Sequence, residues 1–146
     1  MKVGEPASDF ELESQKGEKI KLSSYFGKKK IILFFYVKDN TPGCTSEATG
    51  IKNLYPKISD KYEVIGINHG SRESHIVFCQ KYELPFNILS DPGKKIASLY
   101  GAKGALGIYT RRVTYLIDLD GKIEKIVEGI GALPHLEFVE SLASLA

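Results

Sequence analysis

One stretch restricts the fold more than any other: "KKKIILFFYVKD", residues 28–39. Ile31 to Val37 is an unbroken apolar run with charge at both ends. A half-buried strand would alternate, with one polar face. This run has no polar face, so as a strand it must be covered on both sides. It is also far short of the roughly 20 residues that span a bilayer. A chain built around such a strand needs layers above and below it, which points to an α/β architecture.

The flanking segments agree. "FELESQKGEKIKL" alternates apolar and polar residues around Lys16-Gly17 and predicts an N-terminal β-hairpin. Ala48, Ile51, Leu54, Tyr55 and Ile58 recur at helical spacing, with Pro56 expected to kink or interrupt that helix. "YEVIGINH" reads as a strand. "SRESHIVFCQKYEL" reads as a helix capped by Ser71 or Ser74 and closed by Pro85. "FNILSDPG" leads to a short helix around Lys95–Tyr100, and "VTYLIDLDGKIEKIVEG" reads as a hairpin turning at Asp120-Gly121. A final helix is predicted to bury Leu136, Val139, Leu142 and Leu145 on one face. The expected order ββ-β-α-β-α-β-β-α gives a central mixed β-sheet flanked by helices on both faces.

At 146 residues the chain is expected to form a single domain spanning 1–146. Its 20 basic and 18 acidic residues leave a net charge of +2. That balance offers neither the basic stripe of a nucleic-acid binder nor a face for an anionic membrane. "MKVGEPASDF" has no apolar leader core, so a cytoplasmic location is expected. His69, His75 and His135 form no zinc-box or two-histidine iron pattern, and no metal is expected. Two cysteines in such a chain point to catalysis, redox chemistry or simple burial rather than a static bridge.

Cys44 lies just past the long apolar strand, where active sites of open α/β sheets lie. Its setting is "NTPGCTSEA". Thr41-Pro42 is a helix start, with Thr at the N-cap and Pro at the first helical position. Gly43 allows close approach to the backbone. Cys44 then sits among unpaired N–H groups at the positive end of the helix dipole. A thiol there can fall from a pKa of about 8.5 into the range ~3.5–7.5. A buried, inert cysteine would be expected on an apolar face instead.

Thr41 and Glu47 occupy the positions three residues either side of Cys44, so there is no C-x-x-C dithiol. A lone thiolate suits a peroxide: the O–O bond breaks, an alkoxide or hydroxide leaves, and sulfur becomes a sulfenic acid. Such a transition state needs hydrogen-bond donors and positive charge around both oxygens. Thr41 offers a hydroxyl, Gly43 and Cys44 offer backbone N–H groups, and an arginine would complete the set.

"FFYVKDNTPGCTSEA" resembles the active-site segment of peroxiredoxins, and most closely the peroxiredoxin Q group. Later segments, "EVIGIN", "SHIVFCQKYELPFNILSD" and "RRVTYLIDLDGKIEKI", are similar to successive parts of that family. The resemblance implies a thioredoxin-like fold and a cofactor-free thiol peroxidase acting on hydrogen peroxide or alkyl hydroperoxides. It implies Cys44 as the peroxidatic thiol, and Thr41, Pro42, Gly43, Cys44 and Arg112 as the peroxide-binding set. Arg111 is expected on the surface. Glu47 matches an acidic residue that orients the arginine, although an exposed first-turn carboxylate fits the sequence nearly as well. Where the family has a proline before the cysteine, this chain has Val37. Where many members carry a second cysteine on the same helix, it has Thr49.

The resemblance also implies Cys79 as the resolving thiol, giving a Cys44–Cys79 disulfide that thioredoxin or a similar dithiol protein reduces. Simple packing is the alternative for Cys79. The two Cα atoms would have to come within about 7 Å, so local unwinding on oxidation is expected. A one-cysteine cycle with an external thiol, a monothiol disulfide reductase and a non-catalytic binding module are the competing readings. Nothing in the sequence demands more than a monomer or weak dimer.

Overall fold

A computed structural model describes residues 1–145. A hairpin of β1 (Glu11–Glu13) and β2 (Lys19–Lys21) precedes the strand β3 (Lys30–Phe35). Then follow α1 (Pro42–Ile58), β4 (Tyr62–Asn68), α2 (Arg72–Tyr82), β5 (Asn87–Ser90), α3 (Lys95–Tyr100), β6 (Val113–Ile117), β7 (Ile123–Glu128) and α4 (Leu133–Leu145). The main sheet has the order β5-β4-β3-β6-β7. β3 is its centre, parallel to β4 and antiparallel to β6, so the sheet is mixed as expected.

The apolar run of β3 feeds two separate cores. Ile31, Leu33 and Phe35 face one side, where α3 and the N-terminal hairpin pack through Ile96, Ala97, Tyr100, Phe10 and Leu22. Ile32, Phe34 and Tyr36 face the other side, covered by α1, α2 and α4 through Ile51, Phe78 and Val139. Ile31, Ile32, Leu33 and Phe35 are fully shielded from solvent. Adjacent residues of a pleated strand point to opposite faces, so only a run with no polar members satisfies both cores at once.

Three local expectations need correction. Pro56 does not interrupt α1, which continues to Ile58. The proline lies in the last turn, so its missing N–H costs one bond, to the Lys52 carbonyl, and only two helical residues follow it. "FNILSDPG" contains a strand, β5, that pairs with β4 at the sheet edge and buries Ile88 and Leu89. Four residues are too few to show a period. In α4, Leu145 is 80% exposed and the buried row is His135, Val139 and Leu142. Among the described residues, no helix is long and apolar enough to cross a membrane.

Candidate active site

The backbone leading to Cys44 is shaped residue by residue. Asn40 takes the left-handed conformation (φ 62°), and Thr41 returns to extended geometry at the N-cap of α1. Pro42 opens the helix, and the first backbone bond to return is Thr45 N–H to Thr41 C=O at 2.8 Å. The N–H groups of Gly43 and Cys44 therefore precede the intrahelical ladder. Cys44 is 2% exposed. Thr41 holds the N-cap position without capping through its side chain. Its hydroxyl donates instead to the Lys38 carbonyl at 2.8 Å, which leaves its oxygen lone pairs as acceptors.

Arg112 arrives from the start of β6. The antiparallel register places Val113 opposite Phe35, so the residue before Val113 meets the chain as it leaves β3 for α1. Its guanidinium is fixed at three points. Nη2 donates to Cys44 Sγ at 3.2 Å, Nη1 to Glu47 Oε1 at 2.6 Å, and Nε to the Ile130 carbonyl at 2.8 Å. Burial works against its charge, but Glu47 and Cys44 outweigh that and hold Arg112 above its ordinary value. Arg111 points the other way, to Glu128 and the Gly101 carbonyl on the surface.

Glu47, one helical turn past Cys44, is completely buried rather than exposed to water. Burial pushes its carboxyl up to about 7, with Arg112 pulling back against the shift. Its second oxygen, Oε2, has no hydrogen-bond partner and lies 4.0 Å from His135 Nδ1. His135 Nε2 donates to the Gly129 carbonyl at 3.0 Å, so in the neutral ring Nδ1 accepts from Thr114 Oγ1 at 2.8 Å. Burial holds His135 below its ordinary value, which keeps the ring neutral. Gly43 has a specific role: a Cβ there would stand 3.0 Å from Arg112 Nη2. The space that glycine leaves open is occupied by the arginine.

Beside Arg112 lies a cavity of about 200 Å³ lined by Val37, Tyr109, Arg111, Gly129 and Ile130. Val37 thus forms part of a pocket wall. Ile130 in this lining is 96% exposed and gives the mouth an apolar edge.

Cys79 lies in the middle of α2, 7% exposed, and both cysteines are free thiols. Burial, with Asp39 adding to it, pushes the Cys79 thiol up to about 12. A groove of about 440 Å³ lined by Gln15, Lys16, Arg72, Ile76 and Leu84 reaches it from outside.

Two buried partnerships escaped the sequence: Asp39 with His75, and His135 with Thr114. The available signal was a polar residue on an apolar helical row. His75 shares a row with Phe78 and Cys79, and His135 shares one with Val139 and Leu142. A polar side chain at a core position has to find a partner.

The AhpC/TSA family profile matches residues 3–126. The chain is 39% identical over 133 residues to "Putative peroxiredoxin bcp" of Coxiella burnetii, covering 86% of this chain and 87% of the relative. It is 38% identical to "Peroxiredoxin Bcp" of Bacillus subtilis, covering 99% of this chain and 95% of that one. Among solved structures, peroxidoxin BcpB from Mycobacterium tuberculosis superposes with a TM-score of 0.89 at 28% identity, covering 99% and 97% of the two chains. Fold, sequence and the arginine-bound cysteine after the central strand lead to one assignment: the chain belongs to the AhpC/TSA family, within its peroxiredoxin Q and Bcp group, and has the thioredoxin-like fold.

Proposed function

We propose that this chain is a thiol peroxidase in which Cys44 reduces hydroperoxides. The observation that carries the reading is Arg112, which joins Cys44 Sγ at 3.2 Å and Glu47 at 2.6 Å in one planar fork. The Cys44 thiolate attacks the terminal oxygen of ROOH. The S–O bond forms, the O–O bond breaks, and the departing alkoxide takes up a proton to leave as alcohol. Negative charge moves from sulfur to the leaving oxygen along that path. The Arg112 guanidinium and the unbonded N–H groups of Gly43 and Cys44 stand as donors where it develops, while the Thr41 oxygen, its own proton given to the Lys38 carbonyl, accepts from the hydroperoxide O–H. The apolar cavity walled by Val37 and Ile130 suits an alkyl portion of the substrate.

The Cys79 thiol then attacks the Cys44 sulfenic sulfur, forming the disulfide and releasing water. A dithiol protein such as thioredoxin supplies the two electrons and two protons that restore both thiols. The burial of Cys79 favours a second reading, in which an external thiol resolves Cys44. A thiol pushed up to about 12 is a poor nucleophile until its helix opens.

The test is intact mass and thiol alkylation after one equivalent of hydrogen peroxide. Loss of two hydrogens, no alkylatable thiol and a Cys44–Cys79 peptide are expected. Added oxygen on Cys44 with Cys79 still free supports the external thiol. Peroxide consumption that persists in Cys44→Ser would refute the peroxidase reading as a whole.

A further inference from the structure

A second buried polar cluster takes no part in the chemistry above and lies where the elements bearing the two cysteines meet. Asp39, in the loop between β3 and Cys44, is 6% exposed, and His75, on α2 one turn before Cys79, is fully buried. His75 Nδ1 donates to Asp39 Oδ2 at 2.6 Å, and its Nε2 faces the Asn68 carbonyl at 3.3 Å. Ser74 Oγ donates to the same Asp39 oxygen at 2.7 Å, and the Tyr36 hydroxyl donates to Asp39 Oδ1. Asn68 closes the cluster by donating to the carbonyls of Tyr36 and Val37 at 2.7 and 2.8 Å. The ends of β3 and β4, the loop to Cys44 and the first turn of α2 are therefore joined at one point.

The rest of α2 is lightly held. Only His75, Phe78 and Cys79 of its residues are buried, in a single row, with the Phe78 ring against Tyr36 at 6.0 Å. Its N-terminus is capped by Ser71, which accepts from Ser74 N–H at 3.1 Å, so Asp39 is not needed to start the helix. Its C-terminus turns through Glu83 in the left-handed conformation, φ 51°, where glycine is the unstrained choice. A helix docked by one row and ended by a strained residue belongs to the low-stability part of a fold. Of the three docking residues, one is the thiol that has to leave and another, His75, makes the buried hydrogen bond to Asp39. Separating the two is costly, because buried hydrogen-bonding groups are left without partners.

We infer that Asp39 and His75 are positioning residues that hold α2 closed against the Cys44 loop, and that their separation gates formation of the Cys44–Cys79 disulfide. This rests on the resolving role proposed for Cys79. The closed pair keeps the loop from Tyr36 to Thr41 in place for peroxide attack while it keeps Cys79 buried. Loosening it favours the second half-reaction at the expense of the first.

The test uses the reduced, full-length protein with Asp39→Asn or His75→Gln. Hydrogen exchange followed by mass spectrometry is expected to speed up across residues 72–82 by at least about tenfold, equivalent to about 1.4 kcal/mol, with β3 and β4 unchanged. The chain has no tryptophan, so the two chemical steps are followed by quenched flow with mass readout. Cys44 oxidation is expected to slow and disulfide formation to accelerate. Exchange in α2 at the native rate, or both steps slowing together as in a general loss of stability, would overturn the gate. Where neither pair variant folds, Ser74→Ala removes only one bond to Asp39. It is expected to shift the same two steps in the same directions by roughly two- to tenfold, and unchanged steps would overturn the gate. Cys79→Ser separates the two ideas. Native turnover with a dithiol reductant in that variant overturns the resolving role and the gate together. Native disulfide chemistry that Asp39 and His75 variants leave unaltered overturns the gate alone.

Discussion

The two cysteines share one hydrophobic core and live under opposite rules. Cys44 sits at a helix start, ahead of the hydrogen-bond ladder, with a guanidinium N–H 3.2 Å from its sulfur. Cys79 sits mid-helix, and burial together with Asp39 pushes its thiol up to about 12. For Cys44, the closed fold assembles donors and charge around the sulfur. For Cys79, the same closed fold suppresses the thiolate. Burial alone does not decide whether a thiol reacts, since both are nearly inaccessible. What differs is the company each sulfur keeps: Cys44 accepts from the Arg112 guanidinium, whereas burial and Asp39 raise the Cys79 thiol.

The largest test of that contrast is Arg112→Lys. Lysine keeps the charge but cannot reach Cys44, Glu47 and the Ile130 carbonyl together. The rate of Cys44 oxidation, measured in single turnover, is expected to fall by about 10²–10³, the usual loss for one transition-state donor. A fall of less than about tenfold would mean that charge without geometry is sufficient.

Glu47→Gln comes next. In the native chain, burial holds the carboxyl at about 7 against its ordinary 4.5, so the group is ionised above that pH and neutral below it. Only the ionised form anchors Arg112 by charge. The native rate is expected to exceed that of the Gln variant by about tenfold above pH 7, and the two should converge as pH falls through that value. Stability carries the opposite sign. A carboxyl raised on folding binds more protons in the native state, so its contribution declines as pH rises from 4.5 to about 7. Gln removes that decline, which denaturation midpoints across the same window would reveal.

Gly43→Ala is expected to be smaller. The new methyl would stand 3.0 Å from Arg112 Nη2, and three hydrogen bonds restrain the guanidinium from moving away. Cys44 oxidation should slow by roughly five- to tenfold, a cost of about 1–1.4 kcal/mol, with the fold intact by circular dichroism. An unchanged rate would show that the fork tolerates displacement.

Glu83→Gly addresses the other thiol and is expected to have the least effect. Relieving the left-handed residue at the end of α2 should steady that helix and slow disulfide formation by roughly threefold. Cys44 oxidation should not change. Unchanged disulfide formation would mean that the turn plays no part in holding Cys79.

Much of the site was legible because its signals are local. Thr41-Pro42 starts a helix wherever it occurs after a strand, and the apolar run of β3 has to lie in the middle of a sheet. The N-terminal hairpin, α1 and the β6–β7 hairpin follow from alternation, spacing and turn residues. Glu47 was ambiguous: as a residue near a helix start it fits water as well as it fits Arg112. Burial decided the matter, and burial depends on α4 closing over α1.

The amino-acid sequence by itself determined that this chain would build a mixed sheet around β3 and present Cys44 at the mouth of a helix. Those features depend on steric preferences and capping groups within a few residues. Tertiary structure alone decided which charges meet. Arg112 rather than Arg111 reaches the thiol because the register of Phe35 against Val113 turns one inward and the other out. Asp39 finds His75, and His135 finds Thr114, across sequence separations of 36 and 21 residues. No local preference encodes such pairings. They exist because the order β5-β4-β3-β6-β7 brings the strand ends together and leaves buried polar groups no other partner.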